Sequence, residues 1–75
     1  MGIETKLSEF IKDNIVAEIM YKDSKGSVST REVEPYEIKD GSMYAYCLSK
    51  NALRKFKLSN ILLVKTKGEK FIPRY

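Results

Sequence analysis

Arg54-Lys55-Phe56-Lys57 sets three cations around one aromatic within four residues, a composition suited to holding a phosphate chain. Each phosphate met by a Lys or Arg releases condensed counterions, so binding of this kind weakens as salt rises. Arg31, upstream, adds a planar fork that can grip a phosphate through two parallel hydrogen bonds, which a lysine cannot do. Between these cations, Tyr44 and Tyr46 stand two residues apart in Met-Tyr-Ala-Tyr-Cys. A phenol ring can stack on a base while its hydroxyl donates a hydrogen bond. Arg31, Tyr44, Tyr46, Arg54, Lys55 and Lys57 are therefore the candidate binding residues, with Lys50, Lys65 and Lys67 as weaker extensions.

Other chemistries are poorly supplied. The chain has no histidine, which removes the commonest general base, any Ser-His-Asp or Cys-His pair, and the usual nitrogen ligands of zinc. A single cysteine, Cys47, has no internal disulfide partner. A hydrolase would have to rely on carboxylates such as Glu34 and Glu37. No Walker loop, dinucleotide fingerprint or zinc knuckle is present, so no short motif names a nucleotide outright. The expectation is a protein without catalytic activity, cofactor or metal.

Charge is divided unevenly along the sequence. Residues 1–40 carry six Lys/Arg against nine Asp/Glu, a balance of −3, whereas residues 41–75 carry eight against one, a balance of +7. An anionic ligand belongs with the second half. No apolar run approaches the roughly 20 residues a membrane helix needs, and the N-terminus lacks the layout of a signal peptide, so the reading is cytoplasmic with no membrane partner.

The elements that must position these residues follow from periodicity. At 75 residues the chain makes one domain, 1–75. Ile3, Leu7, Phe10 and Ile11 fall on one side of a 3.6-residue helix, which predicts a helix over about 3–13. Strands follow over about 14–75: Ile-Val-Ala-Glu-Ile-Met-Tyr-Lys before the turn at Gly26, then a run containing Pro35, which must sit at an edge, bulge or bend for want of an N–H. Asp40-Gly41 turns the chain into Ser-Met-Tyr-Ala-Tyr-Cys-Leu-Ser, Leu-Arg-Lys-Phe-Lys-Leu follows, and Ile-Leu-Leu-Val-Lys-Thr-Lys leads to a further turn at Gly68 and a closing Lys-Phe-Ile-Pro-Arg-Tyr. One helix and about five short strands argue for a mainly β, small antiparallel barrel.

In strand three, alternation puts Met43, Ala45 and Cys47 on one face and Tyr44 and Tyr46 on the other. The first set reads as core, with Cys47 an inert thiol. In the next strand, Lys55 and Lys57 face away from Phe56 and point outward, while Arg54 reaches out at the barrel rim. Each functional reading has a plain counterpart. The two tyrosines could pack beneath the N-terminal helix, the lysines could guard a solvated edge strand, and Arg31 could pair with Glu32, Glu34 or Glu37.

The run from Thr30 to Ile61 resembles the signature of WYL domains, found in bacterial transcription regulators and in proteins linked to phage defence. The matching positions are Arg31, Val33, Pro35, Tyr36, Ile38, Gly41, Tyr44, Arg54, Phe56, Leu58 and Ile61. Met43 stands where the family has Trp, Ala45 where it has Leu, and Lys57 where it has Arg. The resemblance implies a five-stranded antiparallel Sm-like small β-barrel behind an N-terminal α-helix. It also implies ligand sensing, with single-stranded nucleic acid or a nucleotide as the ligand class. A protein-interaction or oligomerisation module, such as an inhibitor or a homo-oligomer that sequesters a nucleotide between subunits, is the alternative.

Overall fold

A computed structural model describes residues 2–74, apart from the Lys67 side chain, which lies outside the described residues together with its expected place on the basic surface. Helix α1 runs Ile3–Asp13, as its apolar spacing predicts. It is closed by Asn14 in the left-handed region (φ 55°), a conformation that asparagine tolerates better than most residues. Five strands follow: β1 Ile15–Lys22, β2 Val28–Lys39, β3 Ser42–Cys47, β4 Ala52–Lys57 and β5 Ile61–Lys70, with a 3₁₀ turn at Leu58–Asn60 before the last.

The turns have local causes. Asp23 Oδ1 accepts the backbone N–H groups of Lys25 and Ser27, each at 2.9 Å, and folds the β1–β2 connection around itself. Asp40 and Gly41 both take positive φ (53° and 75°), the pattern of a two-residue turn whose twist matches its flanking strands. That turn fixes Lys39 opposite Ser42 and hence the whole β2–β3 register.

All neighbouring strands are antiparallel, in the order β4-β3-β2-β1-β5. The sheet is strongly curled. Tyr21 on β1 and Phe56 on β4 have two strands between them, which in a flat sheet means a separation of about 14 Å. Their rings instead meet edge to face at 5.0 Å, and the Tyr21 hydroxyl accepts the Lys57 N–H at 3.3 Å. The result is a small barrel that packs Ala17, Ile19, Val33, Met43, Ala45, Cys47, Phe56 and Val64 inside. Leu7 and Phe10 of α1 insert into the same cluster, so the helix supplies one side of the core, packing on β1, β2 and β5.

Pro35 is buried in β2, the middle strand, where a proline would ordinarily break a ladder. Pairing of β2 with β1 ends at Val33, so at Pro35 only the β3 side is paired, and a register shift between Pro35 and Glu37 places Tyr36 in a bulge. The bulge or bend expected of this proline is thus present. Gly68 corrects the sequence reading. It does not end a strand: β5 passes through it to Lys70, with a bulge where β1 moves from Ala17 opposite Thr66 to Ile15 opposite Lys70. The positive φ of Gly68 (77°) serves that bulge, and Phe71–Arg74 continues without regular structure rather than as the expected closing strand.

Candidate functional site

Strand parity sorts the six candidate residues onto two surfaces. Ile19 pairs with Arg31, and Ala45 pairs with Arg54, so both arginines stand on the face of the sheet that carries the core. Tyr46 pairs with Glu34 and Leu53, and Tyr44 with Glu37 and Lys55, so both tyrosines and Lys55 share the outer face, as does Lys57 opposite Ser42. The six therefore do not form one continuous patch. They meet at β4, which among the described residues has β3 as its one ladder partner and offers Arg54 on one side of its outer edge and Lys55 and Lys57 on the other.

The division of strand three is as expected: Met43, Ala45 and Cys47 are fully buried, while Tyr44 and Tyr46 are half-buried. The tyrosines do not lie beneath α1, whose Leu7 and Phe10 enter the core from the opposite face. Arg31 does not take the carboxylate expected as its plain alternative. Its Nε donates to Ser29 Oγ at 3.3 Å. Among the described residues, Arg31, Arg54, Lys55 and Lys57 make no ion pair.

Arg31 also contributes to a small polar group at the inner rim. Cys47 and Ser49 approach to 3.3 Å through Sγ and Oγ. Burial pushes the Cys47 thiol up, but hydrogen bonding from Ser49, the Lys50 backbone and the Arg31 side chain outweighs it, leaving a net downward shift. The thiol is nonetheless inaccessible, in keeping with a core role.

Sequence reasoning missed Arg74. This residue binds Glu34 through both ends of its fork, Nε to Oε1 at 2.9 Å and Nη2 to Oε2 at 3.2 Å, and lies over the Tyr46 ring with its guanidinium carbon 4.2 Å from the centroid. Tyr36 completes the arrangement: its hydroxyl donates to Glu34 Oε1 at 3.2 Å and accepts the Arg74 backbone N–H at 2.9 Å. Burial, together with the adjacent Glu34 carboxylate, holds the Tyr36 phenol above its usual value against the opposing Arg74 N–H. Glu34 raises Arg74 in turn. The one signal in the sequence was Glu34 itself, an acid on the tyrosine face of a strand, but its partner lies forty residues away.

A concavity of about 220 Å³ lies elsewhere, between α1 and β5, bounded by Ile3, Lys6, Glu9, Leu62 and Leu63. None of the six candidates lines it, and the Lys6 ammonium is engaged there with the Val64 carbonyl at 3.3 Å. The candidate interface is a surface strip rather than a cavity.

Fold and surface together define a small-barrel module with a cation-rich edge strand. The chain belongs to the WYL domain family, whose profile matches residues 3–66. Among solved structures it is similar to proteasome accessory factor B/C (PafBC) of Arthrobacter aurescens, with a TM-score of 0.77 and 24% identity. That match covers 89% of this chain and 11% of the PafBC chain, and it establishes a shared fold. No curated protein matches. Among the described residues, no helix is long and apolar enough to cross a membrane.

Proposed function

We propose that this chain is a non-enzymatic, ligand-sensing WYL module of the cytoplasm that binds single-stranded nucleic acid or a nucleotide, in regulation or in defence against phage. The observation that carries this reading is the set of uncompensated cations around β4. Arg54, Lys55 and Lys57 are exposed and without ion pairs among the described residues, and Arg31 shares the inner face with Arg54. A flexible phosphate chain crossing the outer edge of β4 would meet cations on both sides. Tyr44, directly across from Lys55, offers a ring for a base beside a cation for its phosphate. Tyr46 remains part of the proposed set, though Arg74 already covers one face of its ring.

Titrating labelled single-stranded DNA, RNA and a panel of nucleotides at low and physiological salt tests the reading. Binding should appear at low salt and fall as salt rises. No binding at low salt removes the function, and binding that survives Arg54→Ala with Lys57→Ala removes the site.

A second reading, a protein-interaction or oligomerisation module, is favoured by the sheet's two ends. Among the described residues β4 and β5 are not paired with each other, and Leu53, Leu62 and Leu63 are exposed on them. Unpaired edges are templates for association between chains. Light scattering over a range of concentrations tests it, and a strict monomer would exclude sequestration of a nucleotide between subunits.

A further inference from the structure

Glu34 is only 5% exposed, and a buried carboxylate without a cation is strongly unfavourable. Arg74 satisfies it through contacts that each read a different feature of the residue. Glu34 reads the planar fork, the Tyr46 ring reads the guanidinium face, and the Tyr36 hydroxyl reads the backbone N–H of an extended chain. Phe71, three residues earlier, is buried edge-on against Tyr36 at 5.5 Å. The rest of the tail contributes little: Ile72 is 89% exposed, Pro73 is exposed, and the Arg74 side chain is itself 47% exposed.

We propose that Glu34, Tyr36 and Tyr46 form a receptor for an arginine in an extended protein segment. Arg74 is its resident occupant, and an aromatic-x-x-Arg segment of a partner protein is its occupant in trans. The tail lies outside the sheet's ladders and is held by the burial of Phe71 and by its N–H bond to the Asn14 carbonyl at 2.9 Å, so an incoming segment must supply an aromatic as well as an arginine. Exchange replaces one guanidinium by another and keeps the carboxylate paired. Leu53, across from Tyr46 and 48% exposed, provides apolar ground beside the receptor on which a longer segment can rest. Arginine and tyrosine are also the residues that most often dominate protein–protein binding energy. This surface selects a cation and is thus opposite in sign to the anion-binding strip proposed on β4; the two share Tyr46, while Glu34 and Tyr36 belong to the receptor alone.

The test uses fluorescein-labelled Lys-Phe-Ile-Pro-Arg-Tyr as probe, against the full chain and against the full chain carrying Phe71→Ala with Arg74→Ala. The resident tail competes at an effective concentration on the order of millimolar, so the double variant should bind the probe about tenfold or more tightly than the unaltered chain does. Replacing the probe's arginine by lysine or alanine, or adding Glu34→Gln to the variant, should abolish that gain. Equal binding to both chains, or binding that survives Glu34→Gln, overturns the proposal and leaves the contact an internal tie. Should the double variant fail to fold, the unaltered chain still decides: millimolar probe must move the Arg74 Nε–H resonance part of the way toward the position of a free arginine, and an unmoved resonance overturns the proposal.

Discussion

Arg74 and Arg54 both belong to the basic half of the chain, and the tertiary structure gives them opposite conditions. Arg74 is matched to a buried carboxylate, a ring and a phenol, so its charge is already spent within the molecule. Arg54, with Lys55 and Lys57 beside it, meets no counter-charge among the described residues. A charge balance of +7 over residues 41–75 counts both alike. What makes a cation available to a ligand is the absence of a partner in the fold, and that separates a stabilising contact from a candidate interface.

The contrast can be tested by changes that strike both regions and then by changes that strike one at a time. Met43 is fully buried on β3, the strand that supports both surfaces. Met43→Ala should cost about 2–5 kcal/mol in urea denaturation and lower ligand binding and tail attachment together. A loss confined to one region would show that the core does not couple them.

Arg31→Ala with Arg54→Ala should weaken nucleic-acid binding by about tenfold or more, since hydrogen bonds to charged groups are each worth about 1.5–3 kcal/mol. The thermal transition should barely move. Glu34→Gln should do the reverse, lowering the melting temperature and sparing affinity at the β4 strip. If both substitutions changed the same quantity, the distinction between a spent and an available cation would collapse.

Alkaline pH reaches the tail contact through Tyr36. Tyr36 is raised above its usual value near 10, so the stability it contributes is fully present below about pH 10 and is lost as pH rises through its folded-state value. Melts between pH 9 and 11 should show a steeper decline in the unaltered chain than in Tyr36→Phe, the difference reporting Tyr36. The smallest effect on stability belongs to Lys55→Ala and Lys57→Ala, each within about 0.5 kcal/mol. Their effect should emerge in the salt dependence, where the slope of log affinity against log salt should lose about one unit per lysine that contacts a phosphate.

Much of the architecture was legible in the residues. The spacing of Ile3, Leu7, Phe10 and Ile11 gave the helix bounds, and alternation in Ser-Met-Tyr-Ala-Tyr-Cys assigned the two faces of β3, because side-chain direction depends only on local geometry. The turn at Asp40-Gly41 was equally local. Gly68 was misread because a positive-φ glycine suits both a turn and a bulge, and only the β1–β5 register distinguishes them. The candidate site was legible as a set of residues but not as a surface. That Arg31 and Arg54 stand on the opposite face from Tyr44, Tyr46, Lys55 and Lys57 depends on how three strands align.

By itself the sequence determined the helix, the first four strands, their inward and outward residues and the excess of cations in the second half, all of which follow from neighbours along the chain. The tertiary structure alone decided which charges remain unpaired. Curling the sheet brought Tyr21 onto Phe56, and the return of the last residues across β2 and β3 joined Arg74 to Glu34 and Tyr46. The physical reason is separation: pairing between groups forty residues apart is set by the path of the intervening chain, which no local pattern encodes.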